Sequence, residues 1–301
     1  MKKNRNLLFF LITLGICFSD SNHLLFNRIT LKPNNAEFVS IYNPTNESVN
    51  LSNYYITDSV IDDDNSYYNL PSGENYWASE SPQRFTDFIA RFPDVTINPN
   101  DSLVLSMKTD DLFYQYYSYT PDLSLFEDML DLDENGTISC KDLDCPPDNF
   151  DFLNDNEEVL ILFYWDGISN TVNDVDYFLW GGIDHAIDKT GIGDYLDDTP
   201  LNEQEFKDTH QNGYTFIRLD NDEGNESDSN GNGIFGNDET SENLIDTWGT
   251  ISSPEFGCTD QSATNYDSNA TIDDGSCNYA GSETTIDDII NNCGDEMGDQ
   301  L

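Results

Sequence analysis

The stretch Ala36-Glu37-Phe38-Val39-Ser40-Ile41-Tyr42 alternates apolar and polar side chains. This alternation is typical of a β-strand that places one face against a core. A similar run lies just before it at Asn27–Leu31, and Asn34-Asn35 separates the two runs as a turn. Asn43-Pro44-Thr45-Asn46 supplies the next turn, because asparagine and proline favour such conformations. The region therefore predicts consecutive short strands.

The pattern continues along most of the chain. Further strands are predicted at Val49–Leu51, Tyr54–Ile56, Ser102–Met107, Phe113–Tyr119, Glu158–Trp165, Val175–Trp180 and Tyr214–Leu219. One short helix is predicted over Arg84–Arg91, because apolar residues recur there at helical spacing and Pro93 follows. Many short strands with little helical periodicity predict an all-β fold, a sandwich or a barrel.

The first 19 residues have the organisation of a secretory signal peptide. A basic start precedes the apolar run Leu7–Ile16, and Ser19 offers a small residue for cleavage. One alternative is a lipoprotein signal that ends at Cys17, which the bulky Ile16 disfavours, and another is a retained anchor. No later segment has the roughly 18 uncharged apolar residues of a membrane helix. We therefore expect a secreted or cell-surface protein with no transmembrane segment after cleavage.

The composition is extremely acidic, with a net charge of −46 over 301 residues. A negative field repels phosphate backbones, so direct binding of nucleic acid is not expected. The same field opposes a compact state unless salt or bound cations offset it. Aromatic residues make up 13% of the chain, which is enough for a core and argues against a disordered chain.

Five cysteines follow the predicted signal peptide. In an oxidising compartment the short-range pairs Cys140–Cys145 and Cys258–Cys277 are the economical disulfides, and Cys293 is left over. The connectivity stays open at the level of sequence. We expect a small Cys-bearing module at 256–280 and an unfinished or disordered tail at 281–301.

Several segments resemble the lamin-tail domain family. They are Glu37–Pro44, Val49–Tyr54, Ile97–Leu105, Trp165–Gly167 and Val175–Tyr177. The resemblance implies an immunoglobulin-like β-sandwich over 24–252 with long acidic loop insertions. Two further segments, Asp87–Asp94 and Asp238–Leu244, resemble a secreted bacterial subgroup of that family. Such domains are accessory modules, sometimes joined to secreted nucleases or phosphoesterases.

A second resemblance is confined to the C-terminal region. Gly257-Cys258-Thr259-Asp260 and Asp273-Asp274-Gly275-Ser276-Cys277 resemble a short repeat of long secreted bacterial proteins. This resemblance implies a surface or matrix protein and does not specify an activity.

One acidic loop fits the calcium pattern D-x-[DN]-x-[DN]-G-x5-E without exception. Its predicted ligands are Asp228, Asn230, Asn232, Ile234 through its carbonyl, and Glu239. Calcium takes six to eight oxygen ligands, and Gly233 permits the sharp turn that such a loop requires. The flank Tyr214–Leu219 is strand-like, so a true EF-hand is not expected. The alternative is a solvated loop without an ion.

A second loop has a similar pattern and resembles dockerin loops. Its predicted calcium ligands are Asp131, Asp133, Asn135, Thr137 and Asp142. A helical Leu123–Leu130 would enter this loop, and a Cys140–Cys145 bridge would clamp its exit. The alternative is an acidic turn with a purely structural role. Both loops predict Ca²⁺ as the cofactor.

Sequence motifs of catalysis are absent. The three histidines have no zinc-type spacing, and there is no nucleophile elbow, phosphate loop or dinucleotide fingerprint. We expect His23 to be frayed near the mature N-terminus, and His185 and His210 to be solvated loop residues. The protein is therefore predicted not to be an enzyme.

The predicted function is a calcium-stabilised extracellular or cell-surface module for adhesion or scaffolding. The alternative is the N-terminal accessory region of a larger secreted hydrolase. The partner is expected to be a protein or a carbohydrate at the cell surface. The tyrosines of the Phe113–Tyr119 segment are candidates for such a surface, although packing beside a core explains them equally well.

Overall fold

The computed structural model describes residues 21–58, 66–72, 88–130, 152–224, 226–252, 256–257, 261–266, 272–273 and 278–279. The predicted signal peptide, the 131–142 loop, all six cysteines and the 281–301 tail lie outside these residues. The strands are β1 (Leu25–Thr30), β2 (Phe38–Tyr42), β3 (Val49–Asn50), β4 (Tyr54–Thr57), β5 (Ile89–Arg91), β6 (Thr96–Ile97), β7 (Ser102–Ser106), β8 (Leu123–Ser124), β9 (Glu158–Tyr164), β10 (Asn173–Trp180), β11 (Tyr214–Arg218), β12 (Trp248–Ser252), β13 (Phe256–Gly257) and β14 (Ile272–Asp273). The described helices are α1 (Asp110–Tyr117) and α2 (Leu244–Thr247), with 3-10 turns at Asn34–Ala36, Tyr67–Ser72 and Glu239–Ser241.

The strands form two principal sheets. One sheet has six strands in the order β12-β11-β1-β2-β7-β8, and the other has four strands in the order β10-β9-β4-β5. All neighbours in these sheets are antiparallel except β7 and β8. β3 pairs with β6, and β13 pairs with β14. The prediction of an all-β fold is confirmed.

The two large sheets enclose one hydrophobic core. Phe178 of β10 lies 5.0 Å from Phe216 of β11 and 4.3 Å from Trp248 of β12, measured between ring centroids. All three side chains are buried, and the core extends over residues of both sheets. This contact fixes the end of β11 against β10, which is where the candidate site lies.

Strand β2 is central in its sheet and buried on both faces. Val39 and Ile41 belong to the main core, whereas Phe38 packs against Phe113 and Tyr117 of α1 with centroid separations of 6.0 and 5.4 Å. Alternate residues of β2 therefore face two different apolar environments. One face packs against the main core, and helix α1 covers the other face.

The predicted strand at Phe113–Tyr119 is wrong, because residues Asp110–Tyr117 form α1. Thr109 caps the helix by accepting a hydrogen bond from the Leu112 N–H, and two acidic residues occupy the first turn. Phe113 and Tyr117 are four residues apart and share the buried face. A high content of tyrosine favours strands, but this amphipathic spacing and the cap favour the helix.

The helix predicted over Arg84–Arg91 is also wrong where the structure describes it. Residues Ile89–Arg91 form β5, which pairs with β4, and the Arg91 N–H donates to the Leu130 carbonyl. Residues 84–87 lie outside the described part. Pairing on both sides of this segment overrides the helical spacing of its apolar residues. None of the described helices is long and apolar enough to cross a membrane.

Candidate metal centre

The candidate site is a buried carboxylate cluster beside the ends of β1, β10 and β11. It consists of Asp176, Glu223, Glu226, Glu239 and Glu242, together with Arg218 and His23. Asp176 belongs to β10 and Arg218 ends β11. The four glutamates come from the segment between β11 and α2, and His23 stands two residues before β1. The cluster therefore joins the first described residues to a segment about 200 positions later.

Arg218 is the one fixed cation of the cluster. Its Nη2 donates to Asp176 Oδ1 and Oδ2 at 2.7 and 2.8 Å, and its Nη1 donates to Glu242 Oε1 at 2.7 Å. Its Nε donates to the Phe26 carbonyl at 2.7 Å, and the guanidinium lies 4.8 Å from the Trp248 ring centroid. One amino group of Arg218 thus donates to both oxygens of Asp176, and charge-assisted hydrogen bonds of this kind are strong. Arg218 therefore neutralises Asp176 and Glu242 in part, and its Nη1 also lies 4.0 Å from Glu223 Oε1.

His23 presents its Nε2 atom to two other carboxylates. This nitrogen lies 3.2 Å from Glu223 Oε2 and 3.7 Å from Glu239 Oε1. Nε2 also lies 3.3 Å from Glu223 Oε1, an acceptor, whereas Nδ1 lies 3.2 Å from both the Ser21 hydroxyl, which can donate, and Asn22 Oδ1, so we assign the ring proton of the metal-free chain to Nε2. Nε2 then donates to the Glu223 carboxylate. Burial lowers the pKa of His23, which agrees with a neutral ring.

Asn237 orients two of the glutamates. Its Nδ2 group donates to Glu226 Oε1 at 2.8 Å and to Glu239 Oε1. The Gly233 N–H in turn donates to the Asn237 carbonyl, and a Cβ on Gly233 would lie 2.2 Å from Asn237 Oδ1. Gly233 is therefore needed because Asn237 approaches its backbone closely.

Two carboxylate oxygens of the cluster lack a donor. Within the described residues, Glu239 Oε2 and Glu242 Oε2 are buried and have no hydrogen-bond partner. Both side chains are about 1% exposed. A buried polar atom without a partner carries a desolvation cost of roughly 1–3 kcal/mol, more when it is charged. These atoms therefore point to a ligand or a proton that the surrounding side chains do not supply.

The charge of the cluster is far from balanced. Five carboxylates face one guanidinium and one neutral imidazole. Burial is the largest cause that raises the pKa of Glu223 and of Glu226 to about 8 each, and it raises the pKa of Glu239 well above its usual range. Neighbouring carboxylates add to all three shifts. A bound divalent cation or shared protons would relieve the repulsion.

The predicted calcium loop at 228–239 is described, but its residues have separate partners. Asn232 is buried, with Oδ1 accepting from the Leu196 N–H and Nδ2 donating to Asp198 Oδ1. Glu239 faces His23 and Asn237. Asp228 and Asn230 are exposed, and the Ile234 N–H donates to the Asp174 carbonyl. Asn232 and Glu239 would have to leave these partners to ligate one calcium ion in the loop, so that site stays a prediction.

The other predicted calcium ligands, Asp131, Asp133, Asn135, Thr137 and Asp142, lie outside the described residues. The expectations for the three histidines are wrong. His23 is 7% exposed and anchored in the cluster. His210 is buried, and its Nε2 accepts the Leu31 N–H at 2.8 Å. His185 is half-buried, and its Nδ1 contacts Glu158.

The sequence pattern identified Glu239 but missed the remaining members of the cluster. His23 and Glu223 are 200 residues apart, and long-range pairing leaves no local spacing to detect. The run of glutamates between 223 and 242 was visible, but acidic residues are abundant throughout this chain. Comparisons with protein-family models, with curated proteins and with solved structures found no match for this chain.

Proposed function

We propose that this chain is a non-catalytic module of the cell surface or extracellular matrix that divalent cations stabilise. It would serve adhesion or scaffolding, as a lamin-tail-type immunoglobulin-like sandwich with acidic insertions. Ca²⁺ is the ion expected in the acidic loops. The partner would be a protein or a carbohydrate.

The buried carboxylate cluster carries the proposal. Arg218 binds Asp176 and Glu242 and lies 4.0 Å from Glu223, and among the described residues no lysine or arginine pairs with Glu226 or Glu239. Glu223, Glu239 and Glu242 are only 2–3% exposed, so water screens their repulsion poorly. Cation binding that is available only in the folded state stabilises that state by mass action. The exterior of a cell supplies millimolar Ca²⁺, which suits loops of low affinity.

Exposed tyrosines provide a surface for a partner. Tyr114, Tyr116 and Tyr119 are 54%, 38% and 38% exposed, whereas Tyr117 is buried and its hydroxyl donates to the Ala36 carbonyl. Tyrosine combines an apolar ring with a polar tip and is enriched where proteins meet their partners. The partner surface is therefore proposed on the exposed side of α1.

Thermal unfolding of the full-length chain tests the cation dependence. Samples with chelator, with Ca²⁺, with Zn²⁺ and with NaCl at matched ionic strength should separate specific binding from screening. At free cation about 100 times Kd the expected stabilisation is about 2.7 kcal/mol, or roughly 5–10 °C for a domain of this size. Equal midpoints in chelator and in both cations would contradict the proposal.

A further inference from the structure

We propose that His23 Nε2 and the carboxylates of Glu223 and Glu239 form a binding site for one transition-metal ion of the Zn²⁺ class. The proposal rests on the proposed function, because it names the ion that the buried cluster takes. It differs from the loop prediction in its ligands, since neither Asp228, Asn230 nor Asn232 takes part.

The distances suit a small ion in a tetrahedral shell. Two ligands that lie about 2.0–2.2 Å from a tetrahedral Zn²⁺ ion are about 3.4 Å apart. His23 Nε2 is 3.2 Å from Glu223 Oε2 and 3.7 Å from Glu239 Oε1, which bracket that value. One ligand atom from each of the three residues lies within 4.8 Å of the other two. The Glu223 and Glu239 ligand atoms lie within 4.8 Å of each other, so these side chains would draw together around an ion placed between them.

The donor set distinguishes the metal. Calcium and magnesium take oxygen ligands, whereas a neutral imidazole nitrogen suits zinc and its transition-metal neighbours. A ligating histidine usually donates its other ring N–H to an oxygen that fixes the ring. Here Asn22 Oδ1 lies 3.2 Å from Nδ1 and can accept that N–H once an ion takes the place of the Nε2 proton. The ring is therefore already held with Nε2 facing Glu223 and Glu239, and ion binding releases the Nε2 proton.

A second observation concerns the Glu239 carboxylate itself. Glu239 Oε2 is buried and has no hydrogen-bond partner among the described residues, although its side chain is only 1% exposed. Oε1, the oxygen 3.7 Å from His23 Nε2, already accepts from Asn237, so an ion would share Oε1 with that amide or bind Oε2 after the carboxylate rotates. Asn237 thus acts as a positioning residue.

The neighbouring group of three carboxylates is a poorer metal site. Asp176, Glu223 and Glu242 also lie close enough to share an ion. Arg218 Nη2 already donates to both oxygens of Asp176 and Nη1 donates to Glu242, whereas Glu223 Oε1 is farther away, at 4.0 Å from Nη1. A metal there would face a fixed guanidinium charge at contact distance. The ion is therefore placed on the His23 side of Glu223.

A metal ion at this site would hold the residues just before β1 in place. His23 precedes β1, whereas Glu223 and Glu239 belong to the segment that leads from β11 to α2. A metal bond across 200 residues would hold this segment against β1 at the edge of the core. Metal binding and the ordering of this corner would be coupled.

Metal titration of the untagged, chelator-stripped full-length chain tests the proposal. We expect one Zn²⁺ ion per chain by calorimetry, and Co²⁺ in its place should give the visible absorption of a tetrahedral site. His23→Ala and Glu239→Gln should each weaken Zn²⁺ binding at least 100-fold. His185→Ala is the matched control, because this histidine pairs with Glu158 away from the cluster, and it should bind as the wild type does.

The outcomes separate the two proposals. Zn²⁺ binding that persists in both His23→Ala and Glu239→Gln would overturn this site. Stabilisation by Ca²⁺ with no Zn²⁺ binding would overturn it too, while the cation-stabilised function would stand. A chain indifferent to both ions would remove both proposals. Glu239→Gln is nearly isosteric, so it keeps the test valid if His23→Ala fails to fold.

Discussion

Two buried polar networks lie side by side along β10, and they differ in how their buried carboxylates are neutralised. The first surrounds Lys189, which contacts Asp174 and lies 3.5 Å from Asp198. The second surrounds Glu223 and Glu239, with His23 in place of a lysine. Asp174 and Asp176, two residues apart on β10, belong to the first and the second network respectively.

The Lys189 network is nearly complete in itself. Asp174 Oδ1 accepts from the Tyr67 hydroxyl at 2.7 Å, and its other oxygen contacts the Lys189 ammonium. Asp198 accepts from the Asn232 amide and from the Lys189 backbone N–H, both at 2.7 Å. Every carboxylate oxygen has a donor, and the ammonium neutralises one of the two charges. Such a network needs no external ion.

The His23 cluster has donors for only some of its oxygens and one guanidinium for five carboxylates. The comparison shows that burial alone does not identify a metal site, since both networks are buried. The His23 cluster differs in having more hydrogen-bond acceptors than donors. It also has a histidine nitrogen that faces these acceptors. The predictions below test whether this distinction holds.

The largest effect is expected when the Lys189 network loses its cation. Lys189→Met should lower the free energy of unfolding by about 3–5 kcal/mol, because Asp174 and Asp198 are then buried without a counter-charge. Urea denaturation of the chelated protein measures this change in the free energy of unfolding. Lys32→Met is the control, since within the described part of the chain that ammonium makes an exposed hydrogen bond to Thr209 and no ion pair. A loss below about 1 kcal/mol in Lys189→Met would mean that this network is not an internal ion pair.

In the buried carboxylate cluster, removal of a charged group is expected to raise the free energy of unfolding. At pH 9, Glu239→Gln should stabilise the chelated protein by about 1–3 kcal/mol, because the raised pKa of Glu239 means that folding must either bury its charge or take up a proton, and glutamine requires neither. The same variant should lose the stabilisation that Zn²⁺ gives the wild type. Urea denaturation with chelator and with Zn²⁺ gives both numbers. Destabilisation of the chelated variant would show that Glu239 already has a favourable partner.

The two networks should also differ in how their contributions to the stability of the fold depend on pH. The folded-state pKa values of Glu223 and Glu226 are raised to about 8, above their ordinary value of 4.5. Between these values the folded chain holds protons that the unfolded chain releases, so stability falls as the pH rises. Each retained proton contributes a slope of about 1.4 kcal/mol per pH unit. Asp198, raised to about 6, contributes only below that pH.

Urea midpoints of the chelated protein at pH 6, 7 and 8 measure this slope. We expect a fall towards pH 8 that is smaller in Glu223→Gln. With bound Zn²⁺ the trend should reverse, because metal ligands must lose their protons. A chelated wild type whose stability is flat or rises from pH 6 to 8 would contradict the assignment of the slope to the cluster.

The smallest effect is expected at the exposed loop. Asp228→Asn should leave both the stability of the chelated protein and the Zn²⁺ response unchanged, because Asp228 is exposed and is not one of the residues grouped around His23. Calcium titration of the same variant examines the loop prediction independently. Loss of a Ca²⁺-induced shift would place calcium in the loop, and loss of the Zn²⁺ response would contradict the site proposed at His23.

Much of the fold follows from local sequence. The sequence pattern predicted the strands that appear as β1, β2, β4, β7, β9, β10 and β11, although β4, β9 and β10 are buried on both faces and not at alternate residues. It failed at Phe113–Tyr119, where tyrosines favour strands but a Thr109 cap and an i,i+4 aromatic pair make a helix. It failed again at Ile89–Arg91, where pairing with β4 determines the conformation.

The candidate site was predictable only at Glu239. A local calcium pattern selected this glutamate, but its partners His23 and Glu223 reach it through tertiary structure. His23 looked like a frayed terminal residue, because nothing near it in the sequence indicates that β1 runs beside β11. No local sequence pattern predicts that Lys189 lies in a buried ion network either. Ion networks of this kind depend on strand order, which local spacing does not encode.

The most direct test of the central claim is an anomalous-difference map at the zinc absorption edge from crystals of the full-length chain grown with Zn²⁺. The account predicts one peak about 2.0–2.2 Å from His23 Nε2 and from oxygens of Glu223 and Glu239. A map with no peak there at saturating Zn²⁺ would contradict it.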